Sequence, residues 1–276
     1  MAHTLGLVAG SGRLPFEVAD AARERGIPLA IAAIEHNTDP EIESRSSGDF
    51  AWLAAGELGK LIAFLKAAGA AEVIFAGAVA KPEMLRDPAA LRPDARAIAL
   101  LGKLTDRGDD ALLRGVAAEL ESEGLHVVES TAYLGERIAQ VGTLAGPEPD
   151  GDCRRDLALG LRVALALGQV DVGQSVVVKQ GAVLAVEAIE GTDAALRRGV
   201  ALGGPGAVLV KAAKPRQDLR FDVPVVGPAT IELAAELEVA AIGLEAGRTL
   251  VLERARALQL ASDAGISVVG IEPESL

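Results

Sequence analysis

The chain opens on a continuous apolar run, Leu5-Gly-Leu-Val-Ala9, which reads as a strand buried on both faces. A glycine-rich turn, Gly10-Ser11-Gly12, leads into helical spacing from Pro15 to Arg25, stopped by Gly26. Pro28 to Ala33 predicts a second strand, Leu58 to Ala68 a helix and Glu72 to Ala76 a further strand. Asp109 and Asp110 open a helix with Leu112, Leu113, Val116 and Leu120 along one face; Gly124 ends it before the apolar run Leu125 to Val128. Strands alternating with helices in this way predict a parallel, doubly wound sheet, so the first half reads as a Rossmann-like domain.

From Gly142 to Asp152 the sequence turns to glycine, proline and acid without periodicity, as a connection between domains does. The expected boundary lies near residue 145, with a Rossmann-like domain over 1–145 and a second α/β domain over 146–276. In that second half a helix is predicted near Arg154 to Leu167. Strands are predicted at Ser175 to Val178, Val183 to Val186 and Val208 to Lys211, with Gln180-Gly181 as a hairpin turn. A helix over Thr192 to Leu202, another over Pro228 to Glu236, strands at Ala240 to Leu244 and Thr249 to Leu252, a helix and a last strand near Val268 complete the pattern. Two α/β domains joined in this way predict a cleft between them.

Composition sharpens the fold class. Of the 276 residues 50% are hydrophobic but only 3% aromatic, so aliphatic helices packed on apolar parallel strands are expected. With 27 basic and 39 acidic residues the formal charge is -12, and no basic stripe interleaved with aromatics is present, which argues against a nucleic-acid partner. The single cysteine, Cys153, excludes an intrachain disulfide and a cysteine-based zinc cage, and fits a reduced, cytoplasmic setting. Met1 to Thr4 runs directly into the first apolar segment, so no secretory signal is expected, and no apolar run reaches the roughly 18 residues of a spanning helix.

The chemistry concentrates in the second half. Lys211-Ala-Ala-Lys214-Pro-Arg-Gln217-Asp218-Leu-Arg220-Phe-Asp222 crowds carboxylates, cations and an amide between apolar runs. Carboxylates supply hard oxygen ligands to a Mg²⁺-class ion, while lysine and arginine neutralise phosphate. Glu187-Ala-Ile-Glu190-Gly-Thr192-Asp193 adds a second acidic segment where a strand feeds a helix. Gly10, Ser11 and Gly12 read either as a phosphate-binding turn or as a tight turn that needs glycine, and Pro15 breaks the dinucleotide fingerprint. Lys81 follows a strand at the edge where phosphate binds in such sheets, although lone lysines are more often solvated. Asp109 and Asp110 fit helix capping better than metal binding, the three histidines share no ligand spacing, and no Gly-x-Ser-x-Gly elbow is present. Metal-assisted attack by water is the favoured reaction class.

The start Gly10-Ser-Gly-Arg-Leu14-Pro15, the stretch Asp171-Val-Gly-Gln174-Ser-Val-Val-Val and the stretch Ala185-Val-Glu187-Ala-Ile-Glu190-Gly-Thr192-Asp193 carry a family resemblance. So do Lys214-Pro-Arg-Gln217-Asp218-Leu-Arg220-Phe-Asp222-Val-Pro and Glu245-Ala-Gly247. Together, across nearly the whole chain and in order, they resemble the UDP-2,3-diacylglucosamine pyrophosphatases of the LpxI type. The resemblance implies Mg²⁺-dependent hydrolysis of UDP-2,3-diacylglucosamine by water attack on the α-phosphorus, giving UMP and 2,3-diacylglucosamine 1-phosphate (lipid X) in lipid A synthesis. It also implies a homodimer that is cytoplasmic or peripheral on the cytoplasmic face of the inner membrane.

On that resemblance Asp222 is the first candidate metal ligand, joined by Asp218, Glu187 and Glu190. Asp222, Asp218, Lys214 and Arg220 form the expected catalytic set. Gly10, Ser11, Gly12, Leu14, Lys81, Gln174, Thr192, Lys211, Gln217 and Thr230 form the expected substrate-binding set. The rival readings are a non-catalytic nucleotide or sugar-phosphate binding module and a nicotinamide-dependent oxidoreductase.

Overall fold

Most apolar runs become buried strands in the structure, a computed structural model that describes residues 4–79, 91–104, 109–214, 218–221 and 223–273. The chain divides into two α/β units: Met1–Leu134 with Asp218–Phe221, and Gly135–Gln217 with Asp222–Leu276.

In the first unit, β1 (Thr4–Ala9), β2 (Leu29–Ile34), β3 (Phe50–Leu53), β4 (Ala70–Ala76) and β5 (His126–Val127) form one sheet in the order β3-β2-β1-β4-β5. Every pairing is parallel. That is the strand order of the doubly wound, Rossmann-type sheet, with its topological switch between β1 and β4. Helix α1 (Leu14–Glu24) follows β1, and α2 (Leu58–Ala67), α3 (Ala95–Lys103) and α4 (Asp109–Ser122) supply the other helices among the described residues. Leu58, Leu61, Ile62 and Leu65 of α2, Leu100 of α3 and Leu120 of α4 share one core with Val8 and Val73 of the sheet.

β3 and α3 are absent from the sequence reading. β3 is only four residues long, and α3 is an amphipathic helix of nine residues, with Ala97 and Leu100 buried and Ile98 and Leu101 exposed.

The second unit is built on a six-stranded mixed sheet. β6 (Gly142–Ala145), β7 (Ser175–Lys179), β8 (Ala182–Val186), β9 (Val208–Lys211), β11 (Ala241–Glu245) and β13 (Ser267–Ile271) run in the order β6-β13-β11-β9-β7-β8. β9, β11 and β13 are mutually parallel; β6, β7 and β8 pair antiparallel. A separate parallel pair joins β10 (Val225–Val226) to β12 (Leu250–Val251). The glycine- and proline-rich stretch that reads as a connection therefore holds an edge strand, β6, too short to show a period.

Alternating side chains of this sheet serve two cores. Val176, Val178, Val208 and Val210 pack with Leu157 and Leu161 of α5 (Gly151–Gln169). Val177, Leu209, Ile242 and Leu244 pack with Leu196 and Val200 of α6 (Thr192–Gly203), with Ile231 and Ala234 of α7 (Pro228–Glu236) and with Ala257 and Ala261 of α8 (Arg254–Asp263). Helix and sheet approach closely: a Cβ at Gly160 would lie 2.5 Å from a Val210 methyl, so only glycine fits that contact. β7 and β8 are joined at Gln180-Gly181, both at positive φ (51° and 76°), the conformation of the expected two-residue hairpin turn. The Asp156 carboxylate accepts from both turn N–H groups, each at 2.7 Å.

Candidate functional site

Lys211, Glu187 and Thr192 of the expected set gather at one edge of the second unit's sheet, where the parallel strands β9 and β11 end. Lys211 closes β9 and pairs across the sheet with Ser175, the first residue of the antiparallel β7. Glu187 lies just past the end of β8 and donates its N–H to the Ser175 carbonyl at 2.8 Å. Thr192 opens α6 beside them. In open α/β sheets the carboxyl ends of parallel strands are where ligands bind, because loops and helix starts converge there.

Thr192 is the hub of this cluster. Its hydroxyl donates to Glu187 Oε2 at 3.0 Å, accepts from Lys211 Nζ at 2.8 Å and meets Ser175 Oγ at 3.1 Å. A hydroxyl has one proton and two acceptor sites, so with Glu187 taking the proton, Lys211 and Ser175 are the donors. Lysine, hydroxyls and carboxylate are thereby ordered in a row at a helix N-terminus, a setting suited to phosphate oxygens.

The loop after β9 extends the edge. Gln174 accepts the Ala212 N–H at 2.9 Å through its backbone carbonyl, and Lys214 pairs with the exposed Asp171. Glu245, at the end of β11, is only 3% exposed and accepts the Ala213 N–H at 2.7 Å. Burial pushes its carboxyl above the ordinary range; the Ala213 N–H and Arg248, at 3.6 Å, work in the opposite direction. Arg248 also donates to the Lys214 carbonyl at 3.4 Å. Arg248 escapes sequence reading, and Asp171 and Ser175 appear there only within a motif, without a site role. The available signals are a polar residue starting an apolar strand and the positive φ of Asp171 (58°), which only the fold reveals.

Glu190 does not join Glu187. It is held by Arg198, and its own backbone N–H followed by that guanidinium draws its carboxyl below the usual range. Thr230 stands in the first turn of α7, just past the end of β10, and its side chain makes no hydrogen bond among the described residues.

Asp218 and Arg220 lie with the first unit. Arg220 grips both Asp218 carboxylate oxygens, Nε to Oδ1 at 2.9 Å and Nη2 to Oδ2 at 2.8 Å, and this pairing holds the Asp218 carboxyl low. Arg220 also reaches Glu121 at 3.1 Å and covers the Phe221 ring at 5.2 Å. Phe221 packs edge-on against Phe75, and Ser130 donates its N–H to the Leu219 carbonyl and its hydroxyl to the Phe75 and Arg220 carbonyls.

At the switch point of the first sheet, Gly10, Ser11 and Gly12 follow β1 and Leu14 begins α1. Ser11 donates both its N–H (2.7 Å) and its hydroxyl (2.9 Å) to the Ala78 carbonyl, which also receives Asn37 at 2.8 Å. A Cβ at Gly10 would fall 2.6 Å from that carbonyl, so the glycine is required by the approach of two loops. Gly12, at φ 89°, faces open space.

Asp222, Gln217 and Lys81 lie outside the described residues. Among the described residues no three His, Cys, Asp or Glu side chains gather as a metal cage, and Asp218 and Glu190 already face arginines. The described carboxylates alone do not fit an all-protein Mg²⁺ site.

Both units correspond to known domains. Residues 4–137 match the LpxI N-terminal domain and residues 140–269 the LpxI C-terminal domain. A protein of Caulobacter vibrioides named UDP-2,3-diacylglucosamine pyrophosphatase LpxI is 40% identical over 281 residues, covering 98% of each chain. A solved N5-carboxyaminoimidazole ribonucleotide synthetase from Thermus thermophilus shares 16% identity, covers 75% of this chain and 46% of its own, and gives a TM-score of 0.26, too low to bear on the fold. With both domain matches in order and a near full-length relative, the chain belongs to the LpxI family.

Proposed function

We propose that this protein hydrolyses UDP-2,3-diacylglucosamine to UMP and 2,3-diacylglucosamine 1-phosphate, by attack of water on the α-phosphorus, as a step of lipid A synthesis. The observation that supports it most is the 40% identity to the Caulobacter pyrophosphatase across 98% of both chains. The site chemistry agrees: Lys211 and Lys214 stand at the carboxyl edge of the sheet, where cations stabilise charge gathering on phosphoryl oxygens. Thr192 holds Lys211 in place there, and Gln174, Gln217 and Thr230 orient the phosphate or the sugar. In this reading Gly10, Ser11, Gly12, Leu14 and Lys81 contact the nucleotide or its phosphate, and Arg220 adds positive charge.

The reaction depends on Mg²⁺ in this proposal. Mg²⁺ keeps several waters and binds through one or two carboxylates plus substrate phosphate, which lowers its demand on the protein. Asp222 is the proposed principal ligand, with Glu187 engaged directly or through water; Asp218 and Glu190, gripped by Arg220 and Arg198, would join only by releasing those arginines. The substrate is a diacylated sugar nucleotide met at the cytoplasmic face of the inner membrane, and the enzyme acts as a homodimer. No described helix is long and apolar enough to cross a membrane.

The test is incubation with UDP-2,3-diacylglucosamine and Mg²⁺. Release of UMP and the sugar 1-phosphate in equal amounts, stopped by a chelator, supports the reading. Tight binding with unchanged substrate would replace it with a sugar-nucleotide binding module.

A further inference from the structure

Glu245 is a buried carboxylate beside the candidate site with no part in the proposed chemistry. β9 and β11 run parallel with Leu244 level with Lys211, so Glu245 stands one residue beyond the strand pair and faces the loop that carries Lys214. Its Oε2 receives the Ala213 N–H at 2.7 Å, and Arg248, 3.6 Å from its other oxygen, reaches past it to the Lys214 carbonyl. The peptides on both sides of the Ala213–Lys214 step are thus held by one acid and its arginine.

A neutral amide would satisfy a lone backbone N–H without the cost of burying charge, so a carboxylate here needs a further reason. We infer that Glu245 and Arg248 form a positioning pair that fixes the backbone of Lys214, aiming its ammonium at the phosphate of the substrate. The Ala246-Gly247 turn that links the two is itself tied down: Ala246 N–H bonds the Ile271 carbonyl and Gly247 N–H the Ala139 carbonyl, each at 2.9 Å. The pair therefore transmits the rigidity of the sheet to a loop. Neither residue touches substrate in this scheme; both act through Lys214.

The inference rests on the hydrolytic reading, and its test separates the two. In the full-length protein, Glu245→Ala is expected to lower kcat by about tenfold or more with KM changed far less, as for a contact strengthened in the transition state. Glu245→Gln, which keeps an acceptor for Ala213 but gives up the charge that holds Arg248, is expected to recover only a minor part of that loss. Arg248→Met, at a partly exposed position, is expected to reproduce the kcat defect in a folded protein even where the alanine variant is unstable. The rate of Lys214 acylation by an amine-reactive reagent, followed by mass spectrometry, is expected to change in both truncating variants while other lysines keep theirs. Unchanged kcat and unchanged Lys214 reactivity in Arg248→Met would overturn the inference, as would a glutamine variant with wild-type kcat. Absence of hydrolysis in the wild type would instead sink the proposed reaction, and Lys214 reactivity would still decide the positioning role.

Discussion

Thr192 illustrates how a single side chain organises charge at the edge of the second sheet. Its hydroxyl joins Lys211, Ser175 and Glu187, so Thr192→Val removes three hydrogen bonds while keeping shape. The expected result is a fall of about ten- to a hundredfold in kcat/KM together with a loss of about 1–3 kcal/mol of stability, measured by UMP release and calorimetry. Lys211→Met should cost at least as much. Asp222→Ala is expected to abolish turnover while the circular dichroism spectrum and substrate binding persist; an active variant would remove Asp222 from the mechanism. At this scale the sequence showed the acids and cations but not their pairing. Lys211 and Thr192 stood out as chemistry-bearing types, whereas Asp218 and Arg220 face each other, a fact set by side-chain direction and invisible to spacing.

Among the elements, the β7–β8 hairpin shows what periodicity captures and what it omits. Gln180-Gly181 marked the turn because two consecutive positive-φ positions favour small or amide residues. The brace beneath it did not show, because Asp156 lies on α5, more than twenty residues earlier. Asp156→Ala leaves two turn N–H groups without that carboxylate and should destabilise the protein by about 2–3 kcal/mol, read as a lower urea midpoint. Gly77→Ala tests the switch point in the same way. An added Cβ would sit 2.3 Å from the Ser11 carbonyl oxygen, and φ is 87°, so the variant is expected to be expressed poorly or to melt well below the wild type. Strands β3 and β6 stayed hidden for lack of length, as they span four residues each.

For the whole molecule, acid response follows from the carboxylates held low in the folded state. Lys66 first and Arg96 second pull Glu123 down to about 2, and Arg96 with Lys103 lowers Glu119, so one network ties α2, α3 and α4 together. Depressed carboxylates favour folding above their ordinary value near 4.5, and that contribution is lost as pH falls toward about 2. Glu245 has the opposite sign: its raised value favours folding at low pH and weakens it as pH rises through the folded value. Loss of that network on acidification is expected as a transition in Phe50 and Trp52 signals by NMR or fluorescence, while Glu148, Glu190 and Glu236, also held low, give the second unit an acid response of its own. Glu123→Gln should shift that transition to higher pH by removing the anchor of α2 and α3. Alternating strands and helices made two α/β halves legible from the sequence. The return of Asp218–Phe221 to the first unit was not, because no local pattern announces which core a four-residue loop will join.

That return has a practical corollary for gene construction. The covalent order and the spatial order of this protein disagree at one point, so no single cut yields two self-sufficient pieces. A chimera that grafts the amino-terminal half of a relative onto this carboxyl-terminal half would inherit a foreign Phe75, Glu121 and Ser130 facing a native Leu219, Arg220 and Phe221. Transplants should succeed only when residues 218–221 travel with the half they clasp.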